Sequence, residues 1–189
     1  NLLFIESNTL SQNYIAEFNE MWEGVYKKGD VSSYETIILD ETNITFHNYF
    51  CPDDNCAEHI KEILTDAKQS IHFMTFSFTN DGIANVLLIK DDEGIEVQGV
   101  MEARQVTKYS KFKVLKFQGI DVIKDGNKQN MHHKVFIVDE KIVITGSMNP
   151  TGGGDSRNDE NVLVIEDEKI ATLFLEEFEM VQTEAKIEA

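Results

Sequence analysis

Residues 131–161 read MHHKVFIVDEKIVITGSMNPTGGGDSRNDEN. Two apolar runs, 135–138 and 142–145, are split by Asp139, Glu140 and Lys141, which is a β-hairpin signature. His132 and Lys134 stand two apart at the start of the first strand, so alternation puts both side chains on one face. The second run leads into Gly146-Ser147-Met148-Asn149, where backbone, hydroxyl and amide groups can approach an anion. A polar, glycine-rich loop follows to 159, and Glu160 comes just before another strand, 161–166. An imidazole, an ammonium, a hydroxyl, an amide and a buttressing carboxylate can together form a phosphate pocket.

Working outward, 45–51 reads as a strand ended by Pro52, followed by a helix from about Cys56 with Ile60, Ile63, Leu64 and Ala67 on one face. A buried strand is expected over 71–78, with His72, Phe76 and Phe78 as core residues. Helix is expected over 80–90, strand over 95–101, and a basic helix over 105–117, stopped by Gly119. A last helix covers 169–181. Strands alternating with helices, plus one hairpin, imply an α/β fold: a mixed β-sheet flanked by helices on both faces.

The N-terminal segment has its own pattern. Residues 1–6 form an apolar strand candidate, Thr9-x-x-Gln12 has the form of a capping box, and Leu10, Tyr14, Phe18, Met21 and Val25 recur at helical spacing until Gly29 and Asp30. The stretch NLLFIESNTLSQNYIAEF returns at an offset of 160 as NVLVIEDEKIATLFLEEF, without a gap. Asn1, Leu3, Ile5, Glu6, Glu17 and Phe18 are identical to Asn161, Leu163, Ile165, Glu166, Glu177 and Phe178. Any two strand–helix units share some pattern, but this many ungapped identities favour internal duplication. The organisation expected is a strand–helix tail of a preceding repeat over 1–27, a linker over 28–44 and a catalytic domain over 45–189. The chain opens at Asn1 rather than Met, so the expectation is a fragment or processed product whose original N-terminus is missing.

The 189 residues are 41% hydrophobic and 10% aromatic, enough for a well-buried domain. There is no apolar run of about 18 residues of the kind that spans a bilayer, and no secretory leader pattern. The compartment is left open, with the cytoplasm as the default expectation. A net charge of −17 would repel polynucleotides and anionic membranes if it were uniform. It is not uniform: between 104 and 134 stand Arg104, Lys108, Lys111, Lys113, Lys116, Lys124, Lys128 and Lys134 against only Asp121 and Asp125. That stretch is either a solvated face or a surface for phosphates. Cys51 and Cys56 fall in His47-x3-Cys51-x4-Cys56-x2-His59, which has zinc-ligand types at loose spacing; a buried thiol or a local disulfide is the competing reading.

The pattern His-x-Lys-x4-Asp-x6-Gly-Ser-x-Asn, carried by His132, Lys134, Asp139, Gly146, Ser147 and Asn149, resembles the signature of the phospholipase D superfamily. The Glu160-Asn161 pair, the Tyr49-Phe50-Cys51-Pro52 strand end and Gly119 before Ile120 agree with it, so the resemblance covers roughly 45–181. It implies a metal-independent phosphodiesterase with no cofactor. His132 would attack phosphorus and form a phosphohistidine. A second histidine would protonate the leaving oxygen and then activate water. Lys134 and Asn149 would hold the phosphoryl oxygens, Ser147 would hydrogen-bond the phosphate, and Glu160 would orient His132. Asp139 would belong to the site as the residue that ends the strand and ties it down, rather than as a proton carrier. Lys108, Lys111 and Arg157 are the candidate substrate contacts. His133, between the two motif residues, should point to the opposite face.

Such a site needs two motif copies, and this sequence has one. It resembles either the C-terminal half of a two-motif member, completed by an upstream repeat, or a single-motif, endonuclease-like member completed by a homodimer. For the substrate, the basic stretch favours nucleic acid and therefore a nuclease acting on DNA or RNA. The alternatives are a phospholipase D or phosphatidyltransferase acting on phospholipids, and a catalytically incomplete phosphate-binding module.

Overall fold

The computed structural model describes residues 2–27, 29–30, 36–39, 42 and 44–188. In chain order the elements are α1 (Asn8–Trp22), β1 (Thr36–Leu39), β2 (Ile44–Cys51), α2 (Cys56–Thr65), β3 (Ser70–Thr75), α3 (Asp81–Asp92), β4 (Glu96–Met101), a 3-10 turn (Ala103–Gln105), α4 (Phe112–Gln118), β5 (Asp121–Lys124), β6 (Lys134–Val138), β7 (Ile142–Gly146), α5 (Gly152–Ser156), β8 (Glu160–Glu166) and α6 (Glu168–Glu188). The strands form one sheet in the order β1-β2-β8-β7-β6-β3-β4-β5. The β3–β4 and β4–β5 pairs are parallel and the others antiparallel. This is the mixed sheet with helices on both faces that the sequence pattern implies.

Strict alternation builds the two faces. Ile71, Phe73, Phe136, Val138, Ile144, Val162 and Val164 pack under Ile60 and Leu64 of α2, Ile83 and Leu87 of α3, and Leu115 of α4. Met74, Val135, Ile137, Val143, Leu163 and Ile165 pack under Leu10 of α1 and Ala171, Phe174 and Phe178 of α6. Each fully buried large side chain contributes about 1.5–3 kcal/mol. All six residues of β3 are buried, as expected of a strand covered on both sides. Gly99 on neighbouring β4 leaves room for the Phe73 ring: a Cβ there would stand 2.1 Å from its Cζ.

Several sequence expectations need correcting. The strand expected over 1–6 is not seen among the described residues: 2–7 are irregular, with Leu3 and Ile5 packed against the same core as Leu10 and Phe174. The cap of α1 is Ser7, whose hydroxyl accepts from Leu10 N at 3.2 Å, and not Thr9. Within the segment read as a linker, residues 28, 31–35, 40, 41 and 43 lie outside the described residues, but Thr36–Leu39 is a strand with its Ile37 buried. Residues 1 and 189 of the flanking units also lie outside them. The basic helix is only α4: Ser110 N bonds back to Thr107 O, and Lys111 N donates to Phe78 O at 2.9 Å, so this stretch folds as turns. Strand β5 was not anticipated. The loop after Gly146 contains α5, because Thr151 Oγ1 caps it by accepting from Gly154 N at 3.0 Å despite the three glycines.

Cys51 and Cys56 are joined in a disulfide. His47 bonds Thr36 and Glu166, and the His59 ring stacks 4.0 Å from that of Tyr49, so the loose zinc-like set is not gathered. Among the described residues, no group of three or more His, Cys, Asp or Glu stands together as a metal site.

Asp139 is the fastening of the β6–β7 hairpin to the rest of the sheet. It adopts the left-handed conformation (φ +52°), and its carboxylate accepts from Lys68 N, Gln69 N and Ser70 N at 2.7–3.0 Å. Burial works against its charge, but these N–H groups and Lys141 outweigh it and hold its pKa below the ordinary 3.8. A depressed carboxyl contributes stability above its unfolded pKa and loses it as pH falls through the folded one. Asp139→Ala is therefore expected to cost about 2–3 kcal/mol in urea denaturation at pH 7, with the gap to wild type closing in acid. Replacing both Cys51 and Cys56 by Ala should cost about 2 kcal/mol in the same measurement, from the loop closure that the bond imposes.

Candidate active site

The register of the central strands collects the motif at one end of the sheet. Lys134 opens β6 opposite Thr75 at the end of β3. Gly146 closes β7 opposite Val162, and Glu160 opens β8 opposite Cys51. The ends of β3 and β7 and the starts of β6 and β8 therefore meet. Gly146 is required there: it sits at φ +144°, and a Cβ would lie 2.2 Å from Asn161 O.

The first half of the site is built around Phe76, the residue after β3. The exposed His132 ring meets it edge-on with centroids 4.6 Å apart. Lys134 Nζ lies 5.2 Å from the centre of the same ring and donates to His132 O at 2.9 Å. Phe76 N donates to His133 O at 2.8 Å, fastening the two chain segments together. Burial lowers the Lys134 pKa, and the negative charge of Glu160 pulls it back up. The expectation that His132 and Lys134 share a face becomes, in the structure, two groups sharing one aromatic ring. Phe76 is half-buried rather than core, unlike Phe78, which is fully buried.

In the second half, the carboxylate of Glu160 is surrounded by donors. Ser147 Oγ donates to Glu160 Oε2 in a short hydrogen bond, and Asn158 Nδ2 donates to Oε1 at 3.0 Å. Ser147 Oγ in turn accepts from Asn161 N at 3.0 Å and Asn161 Nδ2 at 3.3 Å. Tyr14 of α1 closes the cluster, its hydroxyl donating to Asn161 Oδ1 at 3.3 Å. Ser147 is thus committed to the protein. Within the chain Glu160 bonds Ser147 and Asn158 and is not brought to the ring of His132. Among the described residues, the buried Oδ1 of Asn149 has no hydrogen-bond partner.

The outer residues divide. Lys108 is exposed, 4.8 Å over the Tyr109 ring, and Arg157 is exposed at the end of α5. Lys111 is mostly buried and ion-paired with Asp81, so its charge is engaged inside the chain. His133 points away from the site, as alternation requires, and shares a hydrogen bond with Glu177 of α6 at 3.2 Å; burial lowers its pKa against the pull of Glu177. His72 is buried against Phe178 at 5.0 Å, and burial lowers its pKa too. Sequence reasoning missed Phe76 as a site residue, together with Tyr14 and Asn158. The position of Phe76 immediately past β3 was its one signal, and it depends on knowing where that strand stops.

A strand-end imidazole beside an ammonium is equipped for nucleophilic attack on an electrophile that carries negative charge. Known proteins agree. A family model described as "Cardiolipin synthase, PLD-like domain" matches residues 60–182. The phospholipase D of Rickettsia conorii is 34% identical over 128 residues, 67% of this chain and 64% of that protein. The mitochondrial cardiolipin hydrolase of Canis lupus familiaris is 35% identical over 122 residues, 64% of this chain and 48% of that protein. The chain thus spans between about half and two thirds of these relatives' length. The crystal structure of Nuc, a phospholipase D family member from Salmonella typhimurium, superposes with a TM-score of 0.70 at 29% identity, covering 75% of this chain and 95% of that one. Fold and sequence place the chain among the PLD-like domains. The chain belongs to the phospholipase D superfamily.

Phe76 supplies both an aromatic edge contact and a cation–π contact, together about 1–2 kcal/mol, or about tenfold in rate if both persist in the transition state. Phe76→Leu is expected to lower kcat on a phosphodiester by about tenfold. An unchanged kcat would show that His132 and Lys134 hold their places without the ring.

Proposed function

We propose that this chain is a metal-independent nuclease that works through a phosphohistidine on His132. The observation that carries the reading is the exposed His132 ring set on Phe76 with the Lys134 ammonium on the same ring. The ring nitrogen attacks phosphorus, the P–O bond to the leaving group breaks, and a second, protonated histidine gives its proton to the departing oxygen. That histidine then takes a proton from water, whose oxygen attacks phosphorus and breaks the P–N bond, freeing His132. Lys134 and Asn149 hold the non-bridging oxygens. One chain carries one motif, so the second histidine comes from a second copy of the chain or from an upstream repeat.

Polynucleotide is favoured by the exposed Lys108, Lys124 and Lys128, which lie by the ends of β4 and β5 on the side of the sheet where the motif is gathered. A phospholipid substrate is the second reading. It is favoured by the names of the relatives and by Leu2, Phe4, Phe18 and Trp22, large apolar side chains all more than half exposed on and before α1.

The test is to incubate the chain and its His132→Asn variant with single- and double-stranded DNA, RNA and a phosphatidylcholine emulsion, all in excess chelator. The expected result is cleavage of a polynucleotide, lowered about 1000-fold or more in the variant. Cleavage of the emulsion alone would move the assignment to phospholipid. Equal cleavage by the variant would remove His132 from the mechanism.

A further inference from the structure

Outside the motif, Glu102 is a carboxylate in an unusual position: it follows the last residue of β4 and is only 1% exposed. A carboxylate taken out of water is costly unless hydrogen bonds replace its hydration. Both of its oxygens accept from backbone. Oε1 takes Arg104 N at 2.9 Å, which starts the Ala103–Gln105 turn. Oε2 takes Met131 N at 2.7 Å. Met131 is itself buried, and it immediately precedes His132.

The same chain end holds the residues before Met131. The Arg104 guanidinium donates to Asn130 Oδ1 at 2.7 Å and to Lys128 O at 2.8 Å. Asp125 accepts from Ala103 N at 2.6 Å. Residues 125–133 contain no helix or strand that could fix their course. Among the described residues, no hydrogen bond reaches the His132 ring, which meets the Phe76 ring edge-on. The backbone at His132 is held after it by Lys134 Nζ on His132 O and Phe76 N on His133 O, and before it by the Glu102–Met131 bond, the side-chain anchor on its N-terminal side.

We propose that Glu102 is a positioning residue for the His132 nucleophile, anchoring the chain through Met131 N so that the ring is held on Phe76. The proposal rests on His132 being the nucleophile. Glutamine in its place offers one acceptor oxygen and turns an NH2 group toward the other backbone N–H, so one of the two bonds is lost. A nucleophile displaced by about 1 Å loses rate by about 100-fold without a matching loss of substrate affinity.

The experiment uses the whole chain with isotope-labelled histidine. His132→Asn identifies the His132 ring signals among those of the five histidines. Glu102→Gln, Glu102→Asp and Asp167→Ala are then compared by turnover of bis(p-nitrophenyl) phosphate and by those ring signals. Asp167 caps α6 at the opposite end of the sheet, accepting from Ile170 N at 2.8 Å, and reports a plain loss of stability. Glu102→Gln is expected to lower kcat about 100-fold with KM within about twofold, and to displace the His132 signals away from Phe76. Glu102→Asp should recover part of both effects, and Asp167→Ala should lower only the melting temperature. Wild-type kcat or undisplaced His132 signals in Glu102→Gln would overturn the proposal. Turnover that survives His132→Asn would instead remove the nucleophile reading, and with a wild-type chain that does not turn over, the His132 signals alone decide the anchor. Displaced signals alongside surviving turnover would leave an anchor that serves no nucleophile, and undisplaced ones would remove the anchor as well.

Discussion

The constraint from which the rest follows is that the sheet is covered on both faces. With helices above and below, a central strand such as β3 has no side exposed to water, and all six of its residues are buried. Charged groups cannot be paid for in that layer, so they collect where the strands end. The two ends are then used differently. At one, Asp139 gathers three backbone N–H groups and fastens a hairpin. At the other, the register of β3, β6, β7 and β8 leaves His132, Lys134, Ser147 and Glu160 together.

The site has one half that is already satisfied and one half that is open. Glu160, Ser147, Asn161, Asn158 and Tyr14 bond one another and form a rigid wall. His132 and Lys134 are held by a ring and by backbone, with the imidazole facing solvent. This division is what the proposed phosphohistidine chemistry asks for: one group free to form and break a bond, beside groups that do not reorganise. It also explains why Ser147 is a poor candidate for direct phosphate binding in this arrangement, although it stands in the motif.

Charge counting is corrected in the same way. Lys111 is ion-paired with Asp81, so its charge is offset, while Arg104 bonds only the neutral oxygens of Asn130 and Lys128 and keeps its charge. The field available to an anionic substrate comes from those that remain exposed, and from where the fold places them.

The fold class was legible because period-two apolar runs and amphipathic helices are local consequences of burial. β2, α2, α3, β4 and the β6–β7 hairpin came from such patterns. The failures have physical causes. Residues 2–7 look like a strand, but Leu3 and Ile5 pack against the core from an irregular segment. The lysine-rich stretch looks like one helix but gives a backbone N–H to Phe78. Five-residue α5 depends on the cap at Thr151, which three glycines conceal. The motif residues were legible because their chemistry is fixed by residue type and spacing. What the sequence determined by itself was therefore the pattern of elements and the motif that marks the family. Only the tertiary structure decided that Phe76 lies against both His132 and Lys134, that Glu160 is bound to Ser147 and Asn158, and that Glu102 holds Met131, just before His132. Those contacts join residues far apart in the chain, and only strand register and sheet order bring them within hydrogen-bonding reach.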